Sequence, residues 1–256
     1  VPEPPARTRL DDLLDDLGLA ATRSQARHLI LAGCVTDPAT GTALPKPGKA
    51  LPHNAPLHLA EGPRYVSRAG GKLAAALDHF TINPAGLDCL DLGASTGGFT
   101  DCLLQRGAAT ATCVDVGHGQ LHPSLAADPR VTLLEGLNVR GLPQARLPRT
   151  AYPLIVMDLS FISLKLALPP AWSRLTPGGH LVVLVKPQFE VTAAEAARSR
   201  GIIRDPALHK RALAEVTRAA RALPAAALLG PIPSPVTGAD GNREFLLALR
   251  RGEAQA

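Results

Sequence analysis

Leu90-Asp91-Leu92-Gly93-Ala94-Ser95-Thr96-Gly97-Gly98-Phe99 is the stretch on which the reading of this chain turns. An apolar run ends in small residues and a new apolar pattern follows, which predicts a strand turning into a helix. Small residues there let a ligand approach the backbone, and the open end of such a sheet is the usual binding crevice. Three chemistries compete for this loop. A dinucleotide fingerprint, G-x-G-x-x-G, fails where Ser95 stands in place of its second glycine, and Asp91 would repel a pyrophosphate. Gly93-Ala94-Ser95-Thr96-Gly97 matches G-x-S-x-G, the nucleophile elbow of α/β-hydrolases, with Ser95 as nucleophile. That triad would have to draw on Asp158 and on His180 or His209, neither histidine lying in a convincing loop motif, and the elbow normally follows a later strand. In the third reading the loop holds S-adenosylmethionine. Asp91 then faces the cationic amino-acid end, Gly93 to Gly98 form the close turn, and Asp115, 24 residues on, accepts from the ribose hydroxyls. This ligand has no phosphate, so acidic residues around the glycines suit it.

Outward from the loop, strand and helix patterns alternate. A helix is expected after Lys72 and strands at Leu87 to Asp91, Ala111 to Asp115, Val131 to Leu134, Leu154 to Asp158 and Leu181 to Val185. A helix at Pro206 to Ala222 precedes strands near Ala225 to Leu229 and Glu244 to Leu249. Apolar runs separated by helices imply a doubly wound, mostly parallel sheet. The N-terminal part differs. Leu10, Leu13, Leu14 and Leu17 form a helical stripe ending at Gly18, and Thr22 with Gln25 predicts a capping box opening a second helix to Gly33. Short strands follow at Cys34 to Thr36 and Leu57 to Leu59. The expected organisation is a module over residues 1 to 60, a linker over 61 to 66 and a larger domain over 67 to 256.

With 256 residues, 46% hydrophobic, the chain can build its core without staples, which excludes disorder and a disulfide mini-protein. Cys34, Cys89, Cys102 and Cys113 form no C-x-x-C pair, so reduced, buried thiols and no metal site are expected. Neither an export signal nor an apolar run of membrane-spanning length is visible, which predicts a cytoplasmic protein with no membrane partner. Of 27 cations only six are Lys, and residues 198 to 221 carry seven cations against two anions, which equals the whole net charge of +5. A polyanionic partner or a solvated helix face would each account for that segment.

Four polar residues interrupt or end apolar segments: Lys72 after Gly70-Gly71, Asp158 after Leu154-Ile155-Val156-Met157, Lys186 after Leu181 to Val185, and Glu244 before Phe245-Leu246-Leu247. A lysine closing an apolar strand loses hydration, which favours the neutral amine, while neighbouring carboxylates favour and orient the ammonium. On residue chemistry alone a base and a salt-bridged strand cap remain equally open for Lys186.

Residues 7 to 59, from Arg7-Thr8-Arg9-Leu10-Asp11 through Ser24-Gln25-Ala26-Arg27-His28-Leu29-Ile30 to Leu57-His58-Leu59, resemble the S4-type RNA-binding domain. The resemblance implies RNA-backbone contacts at Arg23, Arg27 and His28. Asp15, Asp16 and Cys34 depart from the basic pattern of that family. Tyr65-Val66-Ser67-Arg68-Ala69-Gly70-Gly71-Lys72-Leu73, Asp91 to Thr100, Val114-Asp115-Val116-Gly117-His118-Gly119-Gln120-Leu121, Asp158-Leu159-Ser160-Phe161-Ile162-Ser163-Leu164, Val185-Lys186-Pro187-Gln188-Phe189-Glu190 and Gly238-Ala239-Asp240-Gly241-Asn242-Arg243-Glu244-Phe245 resemble, in order, the TlyA family of ribosomal RNA ribose methyltransferases.

That resemblance implies an α/β fold: a Rossmann-like class I methyltransferase sheet, FtsJ-like, joined to a small α+β S4-type domain. It implies a K-D-K-E tetrad at Lys72, Asp158, Lys186 and Glu244 and S-adenosylmethionine as cofactor, held by Asp91, Gly93, Ser95, Thr96, Gly97, Gly98, Phe99, Asp115, Asn138 and Asp158. The reaction implied is methyl transfer to a ribose 2′-hydroxyl, with cytidine in 16S or 23S ribosomal RNA expected. The expected partners are ribosomal RNA or ribosomal subunits, gripped through Arg23, Arg27, His28, Arg68, Arg200 and Arg204 by a monomer or weak dimer. Phe161, Phe189 and Phe245 would stack on a flipped base or pack the core, with core expected for at least two. Relatives labelled hemolysin make a cytolysin the competing expectation, and an RNA-binding protein with an inactive methyltransferase domain a third.

Overall fold

The computed structural model describes residues 7–20, 22–59, 64–238 and 240–253. The chain divides into two compact units, Val1–Arg68 and Ala69–Ala256. Of the linker expected over 61 to 66, residues 61 to 63 lie outside the described residues.

The first unit contains β1 (Arg7–Arg9), α1 (Leu10–Asp16), α2 (Arg23–Leu31), β2 (Val35–Thr36), β3 (Ala50–Pro52) and β4 (His58–Leu59). β1 pairs antiparallel with β3, and β2 with β4. Leu10 and Leu14 of α1 meet Ala26 and Ile30 of α2 and Val35 of β2 in one small core. The expected stripe is one residue too long, for α1 ends at Asp16 and Leu17 is 45% exposed. The Thr22 hydroxyl accepts from the Gln25 N–H at 3.2 Å, which starts α2 where its spacing predicts.

The second unit runs α3 (Ala69–His79), β5 (Asp88–Leu92), α4 (Gly98–Gln105), β6 (Thr110–Val114), α5 (Pro123–Ala126), β7 (Val131–Leu134) and β8 (Tyr152–Met157). It continues with α6 (Leu164–Ser173), β9 (Leu175–Val185), α7 (Ala193–Arg198), α8 (Pro206–Arg221), β10 (Ala226–Pro233) and β11 (Phe245–Arg251). One seven-stranded sheet results, ordered β10-β11-β9-β8-β5-β6-β7. β5 to β9 are mutually parallel where they pair, and β11 is antiparallel to both of its neighbours. β8 and β9 read as unbroken apolar runs because they are central and covered on both faces: Leu154 to Met157 and Leu181 to Val185 are all at most 1% exposed.

The chain leaves β5 to one side through β6 and β7, then crosses to the other side at β8. Between β5 and β8 the direction of winding reverses, and a crevice opens at the carboxyl ends of the strands there. α6 was hidden from pattern reading by Pro169-Pro170. The N–H groups these residues lack would have served the carbonyls of Lys165 and Leu166, and both of those residues face solvent, where water can replace the lost bonds.

Candidate active site

The crevice encloses about 430 Å³ between the ends of β5, β6 and β8. Gly93, Ser95, Asp115, Asn138 and Asp158 stand on its wall, with Val116, Leu137, Val139, Leu159 and Ile162 forming an apolar slot. Asp115 is held by backbone donors on both oxygens, from Ser95 N–H to Oδ2 and from Gly117 N–H to Oδ1, each at 2.8 Å. Each oxygen keeps a second lone pair for a ligand hydroxyl. Asn138 Oδ1 accepts from the Arg140 N–H at 3.0 Å, while the residue stays exposed at the crevice.

The glycines have separate reasons. At Gly93, φ is +86° and a Cβ would come within 2.5 Å of the Asp158 carbonyl oxygen, so only glycine lets the ends of β5 and β8 close together. At Gly97 a Cβ would strike Leu125 and Leu121, so this glycine serves packing behind the crevice.

Several expected cofactor contacts need correction. Asp91 does not face the crevice: it is fully buried, and its Oδ2 accepts the Thr100 hydroxyl at 2.7 Å. Desolvation pushes its carboxyl up to about 7; the Thr100 bond opposes the rise, and the charges of Asp158 and Asp115 add to it. Phe99 is 2% exposed and packs inside α4, Gly97 and Gly98 are buried at the helix start, and Thr96 uses its carbonyl to hold the His122 N–H. These four residues shape the turn from behind. Ser95, read as a possible nucleophile, donates its hydroxyl to Gln120 Oε1 at 3.1 Å. His209 is bonded to the Ile203 carbonyl and His180 lies in β9, so neither histidine serves Ser95.

The four polar interruptions meet as two ion pairs. Lys186 Nζ lies 2.7 Å from Asp158 Oδ1 and donates to Ser160 Oγ at 2.9 Å. Lys72 Nζ lies 2.5 Å from Glu244 Oε2, both residues being buried. The sheet explains the convergence. β11, β9 and β8 are neighbours; Glu244 immediately precedes the Phe245↔Val185 register pair, Lys186 immediately follows it, and Asp158 closes β8. Lys72 comes from the first turns of α3. The loop before β11 is tight: Gly238 N–H reaches the Asn242 carbonyl, and a Cβ at Gly238 would lie 2.6 Å from Glu244 Oε1. Ala239 of that motif lies outside the described residues.

Of the three aromatics, Phe245 packs against the core, whereas Phe161 is 92% exposed at the crevice with φ +63°. Its ring lies 5.1 Å from that of Phe189. Ser160, Gln120 and Ile162 carry no assigned role in the sequence reading, although all three lie inside the quoted motifs.

In the first unit Arg27 is exposed, but Arg23 points back to Asp12 at 3.0 Å and Asp11 at 3.4 Å. The acidic first turn of α1 thus spends part of the charge expected for RNA. Arg68 lays its aliphatic stem over Gly33, where a Cβ would meet its Cδ at 2.8 Å. Among the described residues no group of three or more His, Cys, Asp or Glu is arranged for a metal ion, and the four cysteines are free and buried.

Sheet order, the antiparallel β11 and the crevice at the reversal point define a class I methyltransferase fold, whose cofactor is S-adenosylmethionine. The residues fit that group: the crevice wall carries Asp115 and Asp158 with Asp91 beneath, and among the described residues that line it none is a Lys or Arg; Lys186, behind the wall, is paired with Asp158. An FtsJ-like methyltransferase family model matches residues 65–251 and an S4 domain model residues 8–36. The chain is 44% identical over 247 residues to the 16S/23S rRNA (cytidine-2'-O)-methyltransferase TlyA of Mycobacterium tuberculosis, covering 95% of this chain and 90% of that protein. A Streptococcus thermophilus structure that carries the hemolysin name superposes with TM-score 0.72 at 38% identity, over 96% of this chain and 89% of that one. The O-methyltransferase TomG of Streptomyces achromogenes, solved with S-adenosylmethionine, shares the fold at TM-score 0.50 and 15% identity, over 73% of this chain and 81% of its own. This chain belongs to the TlyA family of FtsJ-like methyltransferases. Among the described residues no helix is long and apolar enough to cross a membrane.

Proposed function

We propose that the protein is a cytoplasmic, S-adenosylmethionine-dependent 2′-O-methyltransferase of ribosomal RNA, acting on cytidine in 16S or 23S RNA. The observation that carries this reading is the Lys186–Asp158 ion pair at the crevice, one strand from the buried Lys72–Glu244 pair. When bound, the cofactor supplies an electrophilic methyl group on sulfur. Asp115 and Asn138 orient its ribose and base ends, and Gly93 lets it approach the backbone.

Lys186 has three N–H donors; Asp158 and Ser160 take two, which leaves the third for the ribose 2′-oxygen. The ammonium stabilises negative charge developing on that oxygen, Asp158 holds the ammonium in place, and the hydroxyl proton passes to solvent water. Positioning of the two reactants supplies much of the acceleration. Lys72 and Glu244 hold the ribose and its phosphate side. Phe161 offers its exposed face to the target base, and Arg27, His28, Arg68, Arg200 and Arg204 grip the RNA, with Arg23 contributing less.

The test is labelled-methyl transfer to intact small subunits, intact large subunits and free ribosomal RNA, with Lys186→Ala and Asp158→Ala alongside. Transfer to at least one substrate, lost in both variants, is expected. No transfer together with no cofactor binding ends the reading; transfer surviving both substitutions overturns the site assignment.

A further inference from the structure

The basic segment that gives the chain its net charge is divided in the structure. On α8 Arg211 is ion-paired with Glu195, and Glu215 also takes Lys165. Lys210, Arg218 and Arg221 stand exposed along α8, with no ion pair among the described residues, whereas Arg198, Arg200 and Arg204 are gathered around one hollow. They line an open hollow of about 390 Å³ between α7 and α8, and among the described residues none of the three has an ion pair. Asp205, at the rim, spends one oxygen capping α8 by accepting from the Ala207 N–H at 2.8 Å. Three unneutralised guanidinium groups around one cavity repel one another unless an anion lies between them, and guanidinium geometry matches phosphate oxygens in pairs.

The loop that carries these arginines is anchored firmly. Asn242, 2% exposed, donates from Nδ2 to the Gly201 carbonyl and accepts at Oδ1 from the Ile203 N–H, both at 2.8 Å. His209, 5% exposed, bonds the Ile203 carbonyl at 2.9 Å from below. Asn242 stands two residues before Glu244, and its own carbonyl accepts from Gly238 in the turn that supports Glu244. One buried amide therefore ties the arginine loop to the loop that presents the Lys72–Glu244 pair.

We infer that the Arg198, Arg200 and Arg204 hollow is a phosphodiester site for the RNA flanking the target nucleotide, and that Asn242 is the positioning residue that fixes its distance from Glu244. The inference rests on the RNA reading above and extends it to a specific phosphate and a specific coupling. A site of this kind sets which nucleotide reaches the ribose pocket, because phosphate contacts fix register.

The experiment uses the full chain and free ribosomal RNA. Filter binding from 50 to 200 mM salt is compared for wild type, Arg200→Gln/Arg204→Gln, Asn242→Ala and Asn242→Asp, with the KM for RNA measured by labelled-methyl transfer. Expected for the arginine pair is a KM raised roughly tenfold, unchanged cofactor affinity, and a log–log salt slope reduced by about 0.7 for each phosphate that is no longer neutralised. Asn242→Ala should raise KM to a similar level, and adding the arginine changes to it should do little more, since both act through one site. Asn242→Asp, which keeps the acceptor for Ile203, should recover part of the loss. An unchanged salt slope and KM in the arginine variant overturns the phosphate site, and additive effects overturn the role of Asn242. Loss of binding to phosphatidylglycerol vesicles with unaltered RNA binding would reassign the hollow to a lipid headgroup. The binding slope is read whether or not methyl transfer occurs, so failure of this inference is distinguishable from failure of the proposed activity.

Discussion

Lys72 and Glu244 meet at 2.5 Å across 172 residues of sequence, with 9% and 3% of their side chains exposed. The contact closes the distance between the first helix of the larger unit and its last strand. Burial of both members makes the contact a mutual one; removal of either leaves the other buried and unpartnered.

Lys72→Met should therefore destabilise the fold by about 3–5 kcal/mol in denaturant titrations, as expected when one partner of a buried pair is removed. Lys72→Met/Glu244→Met should recover most of that stability and none of the methyl transfer. Recovery of activity with stability would show the pair to be a structural strut only.

Most of the larger unit was legible in the sequence because its central strands are buried on both faces and read as plain apolar runs. Residues that punctuate those runs, Asp158, Lys186 and Glu244, marked the site for the same reason. Side-chain direction was not legible. Asp91 and Asp115 read alike as strand ends, yet Asp91 lies inside β5, opposite Cys113, and turns under the loop to Thr100, while Asp115 follows the end of β6 and takes two backbone donors at the crevice. Nor could β1 and β3 be read, because three-residue strands such as Arg7-Thr8-Arg9 carry no periodicity and exist through backbone pairing. Arg23 looked like an RNA contact until its neighbours Asp11 and Asp12 came into range through folding.

Gly93→Ala tests the close approach of β5 and β8. The added methyl meets the Asp158 carbonyl, and the left-handed φ costs a further ~1–2 kcal/mol. The expected outcome is a melting temperature lowered by several degrees and weaker cofactor binding by calorimetry, because the displaced strand end carries Asp158. Unchanged binding would remove the strand contact from the site.

Phe161 separates binding from stability. It is almost fully exposed and holds a positive φ that suits glycine, so Phe161→Gly should leave stability equal or higher. If its ring receives the target base, the KM for RNA should rise by the equivalent of ~1–3 kcal/mol, the usual worth of one base stacked on an aromatic ring. Equal KM values for the two proteins would withdraw the stacking role.

Asp91 gives the folded protein a pH dependence with a definite sign. Its carboxyl ionises near 3.8 in ordinary surroundings and near 7 when folded, chiefly through desolvation, so the folded state binds more protons throughout that window. Stability therefore falls as pH rises from about 4 through about 7, the reverse of a salt-bridged carboxylate. Asp91→Asn keeps an acceptor for the Thr100 hydroxyl and removes the charge. Denaturant midpoints of that variant should match wild type at pH 5 more closely than at pH 8, where the variant should be the more stable by up to a few kcal/mol. A wild type that gains stability over the variant between pH 5 and 8 would show that Asp91 has a cationic partner in the folded protein.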